Sequence, residues 1–332
     1  MVPAMIAADG VDVVRVAARD RARAEAFAAE HGLGVADDYA AIVAAEDIDA
    51  VYIPLPTSLH AHWALEALQH GKHVLSEKSL TGGYAAAAPL FSTALGNDLS
   101  LFENFMCERH PQNLEVRSLM ASGALGDIRE ISLAFGFPPF PSDDQRNSAA
   151  LEGGALNDAG AYCIDMATFY LDEYPESITM ASAQLGLEVD AAGSGMMQFP
   201  SGAAAHIGFG FSHDYRNQAL IWGSGGRVEI DRAFSIPSDR RPSVVLTRNT
   251  VARQLDLEPA DQFQAQVNHF RDSTTDARLR RSEIARRWLH SLVMQAARDS
   301  ASQRRTVRMD EYEDWSRAHE LRTSVARGDS DD

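Results

Sequence analysis

The sequence predicts two halves of different build: an α/β half with a parallel sheet over residues 1–104, and an α+β half with an open, mostly antiparallel sheet over residues 105–332. Three observations predict this. Short apolar runs alternate with helical stretches through the first half, and crossovers of that kind return the chain to a parallel neighbouring strand. Near Gly126 the rhythm becomes an alternation of apolar and polar residues, the period of strands with one covered face. At 332 residues there is chain enough for two cores.

Taken in order, residues 11–16 (Val-Asp-Val-Val-Arg-Val) read as a buried strand. Asp20 caps an Ala-rich helix that runs to about Glu30 and stops at Gly32. Further strands are expected at 48–53, 73–76 and 99–103, and helices from Ser58 to Gln69, over 82–95 and from Pro111 to Ser122. Beyond Gly126, residues 128–136 alternate and a Pro-rich loop follows at 137–142. A helix is expected from Asp158 to Leu171, then strands at 177–187, 193–199, 203–211, 217–222 and 226–231. Helices at 261–272 and 280–299 close the fold, and Gly328 to Asp332 form a loose polar tail.

Composition is that of an ordinary globular chain, 45% hydrophobic and 23% charged. A formal net charge of −17 argues against nucleic acid or an anionic membrane as partner, because both reward clustered Lys and Arg. A phosphorylated small molecule stays open, since a few arginines or a helix N-terminus suffice. Cys107 and Cys163 lie in no CxxC or Cys/His ligand spacing, so no metal site is expected, and two scattered cysteines suit a reducing cytoplasm. No apolar run reaches membrane-spanning length, and the start lacks a signal-peptide pattern.

Ligands of open parallel sheets sit beyond the carboxyl ends of the strands. Three loops are expected there: Ala18-Arg19-Asp20, Pro54-Leu55-Pro56-Thr57 and Glu77-Lys78-Ser79. Lys78 reads as a solvated edge charge or as an ammonium that binds a substrate oxygen and lowers the pKa of a neighbouring phenol. Glu77 is either its ion-pair partner or a surface carboxylate. Asp158 and Tyr162 lie four apart and share a helix face. Asp158 suits a helix first turn as well as catalysis, and Tyr162 suits a packed aromatic as well as a proton donor. Gly153-Gly154 permit close backbone approach to a ligand. Arg19 favours the extra phosphate of NADP over NAD, with Asp20 as helix cap. His60 and His110 fall near the crevice and read either as ligand contacts or as structural histidines. No HExxH, no GxSxG elbow and no Cys-His pair is present.

Three segments resemble the glucose–fructose oxidoreductase / inositol dehydrogenase (Gfo/Idh/MocA) family: Val51 to His60, His73 to Leu80, and Gly153 to Tyr162. Glu103-Asn104-Phe105-Met106, His110-Pro111-Gln112, Tyr215-Arg216-Asn217, Gly223-Ser224 and Asp231-Arg232-Ala233-Phe234 are similar to its sugar 3-ketoreductase branch. The resemblance implies a Rossmann-like first domain and NADPH-dependent reduction of a nucleotide-linked keto sugar. It implies cofactor contacts from the three loops, His60, Glu77, Lys78 and Asn104. Lys78, Asp158 and Tyr162 would meet the substrate, and the second-domain sheet would form a homodimer or homotetramer; Arg216, with Arg232 and Arg240, reads either as a contact to a substrate pyrophosphate or as a surface ion pair.

The sequence departs from the family in three places. The strand and Gly-x-Gly-x-x-Gly turn that open the family are missing ahead of residue 11. Ser79 replaces an often cis proline; a non-proline cis bond costs about 3–4 kcal/mol, so a trans path with Lys78 displaced is expected. Glu152 replaces the first glycine of a triplet. The mechanism implied is hydride transfer to a sugar ketone, with Tyr162 as proton donor, Lys78 as electrostatic support and Asp158 orienting hydroxyls or the lysine. The rivals are an NAD-dependent glycoside hydrolase of the same family and a cofactor-less sugar-binding or regulatory module.

Overall fold

The computed structural model describes residues 1–328; the predicted loose tail from residue 329 onward lies outside them. The chain opens with helix α1 (Val2–Ile6) and then the short strand β1 (Arg15–Val16), which pairs in parallel with β2 (Gly34–Val35) across helix α2 (Arg21–His31). The strand predicted at 11–16 is therefore only two residues long. Asp20 caps α2 as expected, its carboxylate accepting from the N–H groups of Ala22 and Arg23, and Gly32 ends the helix in the left-handed conformation at φ 72°. Helix α3 (Tyr39–Ala44) then leads to a separate parallel sheet.

That sheet has the order β3 (Ala50–Ile53), β4 (His73–Ser76), β5 (Leu101–Glu103), crossed over by α4 (Thr57–Gln69) and α5 (Tyr84–Gly96). Ile53 pairs with Ser76, and Ser76 with Glu103. The register brings Pro54, Glu77 and Asn104 side by side at one carboxyl edge. The β1–β2 pair is not part of this sheet; it is tied to it through Tyr39, whose ring meets Trp63 of α4 edge-on at 5.3 Å.

Helix α6 (Pro111–Ala121) leads to β6 (Ile128–Gly136), and a loop and a π-helical turn (Leu156–Gly160) lead to α7 (Ala161–Leu171). Strands β7 (Ser177–Ala183), β8 (Ala192–Gln198), β9 (Ala204–Gly210), β10 (Arg216–Gly223) and β11 (Arg227–Asp231) match the predicted runs, although β7 stops short of the expected 187. The sequence pattern gives no sign of β12 (Ser243–Arg248), β13 (Val251–Gln254) or the two-residue β14 (Val307–Arg308). The nine-stranded sheet has the order β13-β12-β11-β10-β6-β9-β8-β7-β14, antiparallel except for the central β6–β9 pair. Helices α8 (Gln262–Thr275), α9 (Ala277–Gln303) and α10 (Asp314–Arg327) complete the chain. α9 joins the halves: Trp288 stacks on Phe91 of α5 at 5.7 Å, and one hydrophobic cluster runs from Val51 through Tyr162 to Ile207. No helix among the described residues is long and apolar enough to cross a membrane.

Candidate active site

The carboxyl end of β4 and the start of α7 meet. Lys78 lies two residues beyond the strand, and its Nζ bonds the Asp158 carboxylate and donates to the Asp158 carbonyl at 3.0 Å. The same ammonium lies 5.0 Å from the centroid of the Tyr162 ring. The lysine side chain is 11% exposed and that of Asp158 20%, so their attraction is only partly screened by water. Arg146, from the loop before the π-turn, donates to the other Asp158 oxygen at 3.1 Å and rests over Phe140. Burial by itself would raise the Asp158 pKa; Lys78 and Arg146 outweigh it and hold the carboxyl below its ordinary value.

Tyr162 stands edge-on to Phe105 and Phe135, at 5.4 and 5.5 Å. Its hydroxyl has a weak contact, to the Met106 sulfur at 3.6 Å. Burial pushes the phenol well above its ordinary pKa, and the nearby acidic groups push the same way. Against the lowering read for Lys78, burial raises the phenol; the ammonium sits over the ring and is paired with Asp158. A phenol in this state is a held proton.

The turn that carries Lys78 is fixed from three sides. The Ser79 hydroxyl donates to the Asn157 carbonyl at 2.9 Å, the Ser79 carbonyl faces His60 Nδ1 at 2.8 Å, and Leu80 N–H donates to Glu103 at 2.7 Å. The Lys78–Ser79 peptide is cis, against the trans path expected from the serine, and Lys78 is not displaced from Asp158 and Tyr162.

Residues 1–105 match the oxidoreductase family with an NAD-binding Rossmann fold, and residues 113–229 match the GFO/IDH/MocA C-terminal domain. The dTDP-3,4-didehydro-2,6-dideoxy-alpha-D-glucose 3-reductase of Saccharopolyspora spinosa is 38% identical over 300 residues, 90% of each chain. The chain belongs to the Gfo/Idh/MocA oxidoreductase family. The 3-ketoreductase KijD10 from Actinomadura kijaniata, solved with NADP and TDP-benzene, superposes with a TM-score of 0.84 at 33% identity, covering 90% of this chain and 92% of that one. An aldose-aldose oxidoreductase from Caulobacter crescentus shares the fold at the same TM-score of 0.84 and 23% identity.

Within this oxidoreductase the structure sorts the expected contacts. Leu55, Pro56 and Thr57 are half-buried and Pro54 is exposed at the end of β3, and Ala18 and Arg19 follow β1. The exposed Arg19 guanidinium takes part in no ion pair among the described residues, whereas Asp20 is spent on the α2 cap. Glu77 does not pair with Lys78: one of its oxygens accepts from the Tyr52 hydroxyl at 2.5 Å and from Asn104 at 2.8 Å. Asn104 is 1% exposed and its amide donates to Glu77. His60, expected at the cofactor, is buried with its ring nitrogens against the carbonyls of Ser79 and Leu55, so it clamps two loops together. His110 is the α6 N-cap, accepting from Gln112 N–H. Arg216 is not at the site. Asn217 points into the core, so the alternation of β10 turns Arg216 to the exposed face, beside Gln218.

Gly153 and Gly154 also serve a different purpose from the one expected. A Cβ at Gly153 would lie 2.3 Å from the Arg146 carbonyl, and one at Gly154, which has φ +111°, 2.4 Å from Asp190. Gly153 admits the Arg146 backbone and Gly154 the Asp190 side chain, so the pair packs the loop that sets Arg146 beside Asp158. Glu152, in the left-handed conformation at φ 56°, accepts from Gly82 N–H at 2.9 Å and ties the two loops. Arg146 escapes sequence reasoning because it lies in a single 3-10 turn (Gln145–Asn147) with no periodic pattern around it.

Proposed function

We propose that this chain reduces a ketone on a nucleotide-linked deoxysugar with NADPH. One observation carries the reading: an amine, a carboxylate and a phenol from two distant segments converge, and the phenol is left without a strong hydrogen-bond partner. Tyr162 gives its proton to the ketone oxygen as that oxygen gains charge, and Lys78 stabilises the charge. Asp158 holds the ammonium in place and Arg146 holds Asp158. The surrounding phenylalanines keep water from the reacting oxygen. The bound cofactor supplies the hydride.

The residues present fit a phosphorylated dinucleotide. Arg19 offers a free cation for an extra phosphate. The first turn of α4, which no side chain caps, leaves N–H donors beside Thr57 for a phosphate. The resemblance to NADP-bound KijD10 supports the same choice. We assign residues 1–104 to the cofactor and 105–332 to the sugar. We place the protein in the cytoplasm, which its two free, buried cysteines suit. We also assign self-association to the outer face of the nine-stranded sheet, where Trp222 and Met196 are 55% and 39% exposed. Titration with NADPH followed by fluorescence, then consumption of NADPH with a dTDP-linked 3-keto sugar, tests the reading. Saturable micromolar binding with turnover is expected. Absence of binding favours the cofactor-less module.

A further inference from the structure

Behind the Lys78 turn lies a second carboxyl, for which the scheme above has no use. Glu103 ends β5 in register with Ser76, so it stands beside the turn that carries the lysine. It is 2% exposed. One oxygen accepts from Leu80 N–H at 2.7 Å, and the other has no hydrogen-bond partner among the described residues. Beside it is a cavity of about 10 Å³ whose walls include Ser79, Leu80, Glu103, His290 and Arg298. That is room for one water molecule. Both ring nitrogens of His290 also lack a hydrogen bond. A cavity of this size, walled by residues that carry an unpaired carboxyl oxygen and two unpaired imidazole nitrogens, suits a bridging water between Glu103 and His290.

We propose that Glu103 is a positioning residue for the lysine: with one water shared with His290 it fixes the Lys78–Leu80 turn, and its charge tunes the field at the amine. This rests on the role given to Lys78 above. The charges that face Glu103 are Lys78 from the turn and Arg287 and Arg298 from α9, and all three favour the anion. Burial is the largest influence and opposes them, leaving the carboxyl pushed up to about 7. Of the other titratable groups on the cavity wall, His290 is held neutral, mainly by burial, and the Tyr84 phenol is pushed above its ordinary value by burial and its bond to Asp314.

Two variants of the full chain, Glu103→Gln and Glu103→Leu, test this with saturating NADPH and keto sugar. Gln keeps the acceptor for Leu80 and cannot ionise, so kcat should match wild type on the acid side of neutrality while the inflection near neutral pH disappears from the kcat profile. Leu removes the acceptor, and kcat should fall by up to about 10²-fold with KM little changed, the size of effect a slightly misplaced group produces. A thermal readout separates this from a merely structural role. A carboxyl with a raised pKa makes the folded state bind the extra proton, so its contribution to stability falls as pH rises from the ordinary carboxylate range through about 7. The Tm advantage of Glu103→Gln over wild type should therefore be larger at pH 8 than at pH 5. Wild-type kcat in Glu103→Leu, or an unchanged pH profile in Glu103→Gln, overturns the proposal. If the Leu variant does not fold, the Gln profile decides. A wild-type protein that neither binds NADPH nor reduces the sugar sinks the parent reading and this one with it; active wild type with an unaltered Gln profile sinks this one alone.

Discussion

The two ends of α7 carry two buried tyrosines with opposite circumstances. Tyr170, near the C-terminal end, donates to Asn113 Oδ1 at 2.8 Å, and Asn113 in turn donates to the carbonyls of Cys107 and Ala233. Tyr162, near the N-terminal end, meets only a sulfur at 3.6 Å. The charges near them differ in the same way. Asp165 and Glu108 are locked to Arg287 at 2.7 Å each, with all three side chains at most 3% exposed. The Lys78–Asp158–Arg146 chain stays partly open, with Arg146 at 39%. Buried ion pairs build the frame between α7 and α9, while the partly exposed groups at the N-terminal end of α7 are the ones that can act on a ligand.

The comparison breaks most sharply at the tyrosines. Tyr162→Phe should cut kcat by about 10²–10⁴-fold with little change in KM, as loss of positioned acid catalysis does. Equal losses from Tyr162→Phe and Tyr170→Phe, measured by steady-state kinetics, would erase the distinction. Arg287→Met should leave Glu108 and Asp165 buried without their cation and cost about 3–5 kcal/mol in denaturant unfolding, before any effect on turnover is considered. If instead it lowers kcat in a protein of wild-type stability, the network belongs to the site. Tyr170→Phe should cost about 1–2 kcal/mol of stability through the Asn113 acceptor it abandons, and leave kcat of the folded enzyme unchanged.

The smallest effect is at acid pH. The Asp158 carboxyl is held below its ordinary value, so the stability it contributes is complete above the unfolded carboxylate pKa and is lost as pH falls through the folded one. Asp158→Asn should flatten that acid limb of the unfolding curve and leave the neutral region nearly parallel to wild type. An acid limb as steep as that of wild type would show that Lys78 and Arg146 do not hold the carboxylate.

Much of this was legible beforehand where a short-range rule decides the outcome. Strand–helix alternation gives the parallel sheet, Asp20 and Gly32 bracket α2, and period-two alternation marks β6 to residue. The grouping of Lys78, Asp158 and Tyr162 was read from segments of recognisable pattern. Strands β12 and β13 were missed because they are short and flanked by charge, and β13 is exposed along its whole length. Arg216 was misplaced because composition does not tell which face of a strand a residue occupies; a register fixed by distant neighbours does.

The sequence by itself determined the order of most elements, the loops at the carboxyl edge and the residue types able to bind, donate and stabilise, since these follow from local periodicity and side-chain chemistry. Only the tertiary structure decided the partners. It gave Lys78 to Asp158 and not to Glu77, raised the Tyr162 phenol where a lowering was expected, turned His60 into a clamp and set Arg146 behind Asp158. Pairing and burial depend on what distant segments bring within a few ångströms, and removal of water is a property of the packed whole.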